Sequence, residues 1–156
     1  MQTYPKLDSA SLLLILTSYI NLLRLYVVLC SHIQDFLKEI SDNDDPSLCP
    51  LPGLSFCSFP LRKPQSGNLQ TTILIQIITS LFERIERLLG LPGEFRINSG
   101  ESAPNGLLSD EEFVDIVRLV FRTQESGQSE SRRGGVKALR RHLEEIKQLL
   151  KNSIAL

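Results

Sequence analysis

Arg24 is the residue whose chemistry and position conflict most. It lies within an apolar run, Ala10 to Cys30, that contains no other charge. An unpaired guanidinium in an apolar interior is strongly destabilising. The side chain must therefore snorkel to the surface or meet a carboxylate, for which Glu83 and Glu86 of a second apolar segment are the expected partners. Tyr19 and Tyr26 stand seven residues apart, two turns along one face of a helix. Their hydroxyls either bond to backbone inside a core or line a cavity with Arg24, Glu83 and Glu86. Such a cavity would take a hydrophobic small molecule by shape and a few polar contacts.

Other chemistries find less support. His32 and His142 are the only histidines, and neither has Cys, His or carboxylate neighbours at metal-ligand spacing, so no metal and no cofactor is expected. Ser31 and His32 are adjacent, and adjacent helical side chains diverge by about 100°, which prevents a local nucleophile–base pair. Asp42, Asp44 and Asp45 lack the glycine and distal glutamate of a calcium loop and read as a solvated turn. Gly90-Leu91-Pro92-Gly93 is a helix stop rather than a phosphate loop. Between Arg132 and Lys151 seven basic residues face only Glu144 and Glu145. A solvated helix face explains them first, a nuclear-import signal second, and a nucleic-acid patch last, because no aromatics are interleaved for base stacking.

The 156 residues carry a formal net charge of −1, so no overall field selects nucleic acid or an anionic membrane. With 6% aromatics and no Trp, aliphatic side chains must fill the core. Three cysteines, Cys30, Cys49 and Cys57, form neither a disulfide framework nor a CxxC pair, which points to a reducing intracellular compartment, cytoplasm or nucleus. The run from Ala10 to Cys30 invites comparison with a membrane span. Arg24 near its middle would cost about 2.5–3.5 kcal/mol on insertion scales, and Asp8 sits where a signal peptide would be basic. A core helix is expected, not a span.

The elements follow from periodicity. No Gly or Pro interrupts the chain between Pro5 and Pro46, so residues 8–40 predict one long helix or a bent pair, central in its first half and superficial where the apolar stripe narrows to Ile33, Phe36, Leu37 and Ile40. Residues 41–68 hold five of the eight prolines and predict a strap that packs through Leu51, Leu54, Phe56, Phe59 and Leu61, or a linker. A helix is predicted over 69–90, with Leu74, Ile77, Ile78, Leu81, Phe82, Ile85, Leu88 and Leu89 as one wide apolar face. A third, 109–123, opens on a capping-box pattern at Ser109 and Glu112. A mobile loop over 124–135 and a last helix over 136–152 follow, the latter with the narrow seam Leu139, Leu143, Ile146 and Leu150. The sum is an all-α, single-domain bundle of about four helices.

Several of these segments carry more than periodicity. Gly67 to Pro92 followed by Gly93-Glu94-Phe95-Arg96-Ile97, then Gly106-Leu107-Leu108-Ser109, and the ending from Leu139-Arg140-Arg141 to Ala155 resemble the C-terminal regulatory region of fungal Zn2Cys6 transcription factors associated with secondary-metabolite gene clusters. The resemblance implies a helical regulatory region. It covers most of the chain with packing motifs rather than catalytic signatures. The cysteine-rich zinc cluster through which that family reads DNA has no counterpart among these residues, so direct DNA binding is not expected.

Two functions stay open. A non-DNA-binding regulatory protein would bind a hydrophobic small molecule or a partner helix, or form a homodimer, with Leu139, Leu143, Ile146 and Leu150 as the seam. A cofactor-free cyclase or pericyclase of Diels–Alder type, acting on a terpenoid or polyketide, would need only an enclosed pocket and one or two donors, and would leave almost no sequence signature.

Overall fold

The computed structural model describes residues 8–42, 63–98, 105–126 and 135–154. Among them are four α-helices, α1 (Ser9–Asp42), α2 (Lys63–Leu89), α3 (Glu111–Ser126) and α4 (Val136–Ile154), a 3-10 turn at Gly93–Phe95, and no strand. The all-α bundle expected from periodicity is therefore present. The greater part of the expected strap, and most of the expected 124–135 loop, fall outside the described residues.

α1 is a single unbroken helix, as the absence of Gly and Pro permits. Leu12, Leu16, Ile20, Leu23, Cys30 and Leu37 recur at steps of three, four and seven residues, one side of a helix, and are buried. Its main partner is α4, whose Leu139, Leu143, Ile146 and Leu150 are buried as well. Each such side chain contributes roughly 1.5–3 kcal/mol of apolar burial. The seam read as a partner surface is thus filled from within the chain, by α1. Two further expectations need correction. The first half of α1 is not buried all round, since Leu14 and Leu25 are each 69% exposed. On α2 the apolar face divides: Ile75, Ile78 and Phe82 are buried, whereas Leu74, Ile77, Leu81 and Leu88 are exposed. A helix on the surface of a small bundle buries an apolar stripe of only about a third of its circumference, so wider apolar faces overrun it. By length and composition alone α1 could cross a membrane, yet its buried stripe packs on α4.

α2 starts at Lys63 rather than near residue 69. Pro64 is tolerated there because a first-turn residue has no intrahelical N–H bond to lose. Tyr19 meets Glu86 and Tyr26 meets Phe82, so α2 runs antiparallel to α1. Asn68 donates to Ser153 near one end while Arg140 reaches the turn beyond the other, so α2 is antiparallel to α4 also. α1 and α4 consequently run parallel, latched by Gln34, whose amide donates to the His142 carbonyl at 3.2 Å and to Glu145 Oε2 at 2.9 Å. α3 joins through Phe121, stacked on Phe95 at 4.4 Å and edge-on to Tyr19 at 6.1 Å.

Two glycines govern how α2 ends. Gly90 adopts φ 69°, the left-handed conformation that stops a helix. A Cβ at Gly90 would lie 2.8 Å from the Gly106 Cα, so the backbones cross where neither residue can carry a side chain. Across that contact Leu107 N donates to the Leu88 carbonyl at 3.0 Å and Leu108 N to that of Leu89 at 2.7 Å. These bonds satisfy carbonyls that every helix C-terminus leaves open. Ser109, expected to cap α3 with Glu112, instead bonds back to Gly106, donating to its carbonyl at 2.6 Å and accepting from its N–H at 3.1 Å.

Candidate functional site

The one concentration of buried polar chemistry among the described residues lies where α1, α2, α4 and the turn after α2 meet. Glu86 is 1% exposed, placed on the inner face of α2 one turn beyond Phe82. Its Oε1 accepts from the Tyr19 hydroxyl at 2.8 Å and from the Ile97 backbone N–H at 2.6 Å. The tyrosine also lies 3.3 Å from the Phe95 carbonyl, a second acceptor for its proton. Arg96 and Arg140 provide positive charge nearby. Burial still dominates and raises the Glu86 carboxyl above its ordinary value, against the opposing pull of Ile97, Tyr19 and the two arginines. Tyr19 is pushed up as well, by burial first and by the Glu86 charge second.

Both arginines serve the backbone of the turn. Arg96 folds back so that Nε donates to the Leu91 carbonyl at 2.5 Å. Arg140 projects from α4, with Nε 3.1 Å from the Ile97 carbonyl and Nη2 3.0 Å from that of Gly93, and it donates to the Arg96 carbonyl as well. Guanidinium donors in a fixed fork suit such convergent carbonyls. On the outer side, Glu94 pairs with Arg118 of α3 at 3.1 Å. The turn from Leu91 to Ile97 is therefore gripped by α4 through Arg140, by α2 through Glu86 and by α3 through Arg118. Chemically, this set holds a hydrogen-bonded carboxylate–phenol pair and fixes main-chain geometry.

The residues singled out by sequence separate into two groups. Tyr19 and Glu86 are brought together, and Tyr26 packs its ring edge-on to Phe82 at 5.0 Å. Glu83 points outward and pairs with Arg87 at 2.9 Å, away from that cluster. Arg24 is half-buried and donates to Gln124 of α3, rather than meeting the glutamates proposed for it. Arg96, Arg140 and Ile97 were not singled out as site residues. Their signal lay in the Gly93-Glu94-Phe95-Arg96-Ile97 and Leu139-Arg140-Arg141 segments, which periodicity alone does not mark as polar contacts. His142 is likewise structural in placement: its Nδ1 lies 2.9 Å from Gln34 Oε1, and burial, then the Arg141 charge, lower its pKa. Among the described residues no group of three metal-ligating side chains comes together.

The family follows from residues 1–154, which match the model described as the CcsR C-terminal domain: the chain belongs to that family. It is 24% identical over 209 aligned positions to the Zn(2)-C6 fungal-type transcription factor mpsE of Macrophomina phaseolina, across 99% of this chain and 36% of that protein. It is 40% identical over 88 residues to the cytochalasin cluster regulator ccsR of Aspergillus clavatus, across 56% of this chain and 16% of the regulator. The transcription factor pydF of an Acremonium species is 30% identical over 151 residues, 95% of this chain and 32% of its own length. The chain thus spans about a third or less of these curated relatives. No solved structure matches.

Proposed function

We propose that this chain is a helical regulatory region acting on a fungal secondary-metabolite gene cluster, in the nucleus, through protein or small-molecule contacts rather than by reading DNA itself. The observation that carries the reading is that residues 1–154 match a family described as the C-terminal domain of a cluster regulator. The Tyr19–Glu86–Arg140 knot fits this role. Its donors and acceptors are engaged with one another and with backbone, as in a device that holds three helices in fixed relation. A catalyst would instead need donors directed at a bound substrate.

Deletion of the gene in the fungus that carries it, with transcript measurement and metabolite profiling of the same cultures, tests this. Collapse of the neighbouring biosynthetic transcripts is the expected result. Unchanged transcripts together with accumulation of an uncyclised precursor would replace the regulator with the cofactor-free cyclase.

A further inference from the structure

α1, α2 and α4 pack directly on one another, and α3 approaches none of them over as much of its length. It rests on the turn after α2 and on the flank of α1, through Phe121, whose ring stacks on Phe95 and meets Tyr19 edge-on. Its buried stripe is short: Phe113, Val117 and Phe121, whereas α4 buries Val136, Leu139, Leu143, Ile146 and Leu150. Its polar ties include Arg118 to Glu94, both exposed, and Gln124, which accepts from Arg24 at the surface. Ion pairs in water hold little.

The chain just before α3 is held far more firmly. Leu107 and Leu108 donate to the last carbonyls of α2, Leu108 is fully buried, and Ser109 is bonded to Gly106 through N–H and hydroxyl alike. From Asp110 onward the backbone bonds belong to α3 itself, the Asp110 carbonyl accepting from Phe113 and Val114 at 2.9 and 3.1 Å. Anchored turn and helix thus meet at the single link between Ser109 and Asp110, both exposed.

We infer that α3 is a hinged lid: it lifts about the Ser109–Asp110 link while α1, α2 and α4 stay packed, and in lifting bares the Phe95 ring, Tyr19 and its own inner stripe. A unit with few buried apolar contacts and surface ties opens at lower free energy than the core it rests on. What stays behind supports itself. The turn beneath keeps Arg140 and Glu86, and the end of α2 stays sealed by Leu107 and Leu108. Once lifted, the 16 residues of α3 form a lone helix that is marginal in water, so its amides exchange with solvent. The fold therefore has two surfaces, one closed and one with aromatic rings bared. This opening belongs to the purified chain and stands apart from the regulatory reading.

Native-state hydrogen exchange of the whole chain in low urea, read residue by residue by NMR, tests it. Amides from Asp115 to Arg122 should exchange through one common opening, about tenfold or more faster than the slowest amides of α1 and α4 and with a weaker dependence on urea. Leu107 and Leu108 should exchange with the core. Ile146→Val supplies the second measurement. The Gln34–Glu145 bond places Ile146 beside α1 about 15 Å along that helix beyond Arg24, away from the lid. The substitution should speed the slowest α1 and α4 amides about twofold to tenfold and leave Asp115 to Arg122 unchanged, because it weakens the core without touching the lid. Equal protection of α3, α1 and α4, a loss graded inward from Ser126 in place of a common opening, α3 accelerated by Ile146→Val as much as α1, or Leu107 and Leu108 opening with α3 would each overturn the inference. Should Ile146→Val fold poorly, the exchange pattern of the parent chain decides alone.

Discussion

Replacing Glu86 separates the two things it supplies, hydrogen-bond acceptance and charge. In Glu86→Ala the Tyr19 hydroxyl keeps only the Phe95 carbonyl, at 3.3 Å, and the Ile97 N–H, formerly 2.6 Å from Oε1, is left bare. A stranded buried donor costs about 1–3 kcal/mol, and the vacated volume beside Phe82 and Leu91 adds a cavity cost. A loss of about 3–5 kcal/mol is expected, a large share of the 5–15 kcal/mol that holds a typical domain together. In Glu86→Gln the remaining oxygen can still accept from Ile97 N–H. The new amide can donate to the Tyr19 oxygen, whose own proton turns to the Phe95 carbonyl. Because burial already disfavours the Glu86 charge, losing it should change stability by no more than about 1 kcal/mol at pH 7. Urea unfolding followed by helical circular dichroism, with equal m-values as the check on two-state behaviour, measures both. If glutamine costs as much as alanine, the charge and not the bonding geometry holds the knot, and the reasoning fails. It fails equally if alanine costs under about 1 kcal/mol.

Further outcomes follow from other contacts. Arg140→Lys cannot fork to the Gly93, Arg96 and Ile97 carbonyls, so a loss of about 1–3 kcal/mol is expected, read as a lower urea midpoint. Gly106→Ala would drive a Cβ into the backbone of Leu89 and Gly90, and the thermal midpoint should drop by more than for Gly93→Ala, where a Cβ meets nothing. For His142, whose folded pKa lies below 6.5, the unfolded chain binds the proton first on acidification. Its contribution is complete above about pH 6.5 and is lost as pH falls through the lowered value, so unfolding at pH 7.5 and pH 5 should show a slope that His142→Asn removes.

Helix number, type and approximate limits were legible because apolar periodicity and the Gly/Pro breaks act locally. The buried half of each stripe was not. Leu74, Ile77 and Leu81 have the same character as Ile75, Ile78 and Phe82, and only the positions of α1 and α4 decide which row is covered. Tyr19 and Glu86 could be singled out individually, yet their meeting depends on the antiparallel passage of α2 along α1. The partner assigned to Arg24 missed for the same reason: Gln124 lies one hundred positions away on α3, and neutral amides leave no charge pattern to follow. Ser109 shows a local rule overridden by a non-local one, since the Gly106 turn that closes α2 captured its hydroxyl first.

The Gly90–Gly106 crossing makes α2 a helix that cannot finish itself. Its last two carbonyls are closed by Leu107 and Leu108, which leave the ribosome long after Leu88 and Leu89. A nascent chain halted near residue 98 would hold both long helices with the end of the second unsealed, and with Glu86 lacking the positive charge of Arg140 from α4. The fold therefore has no early stopping point. Any attempt to divide this region into an autonomous front half and a dispensable back half should cut no earlier than Leu108, and a cut there would still forfeit Arg140.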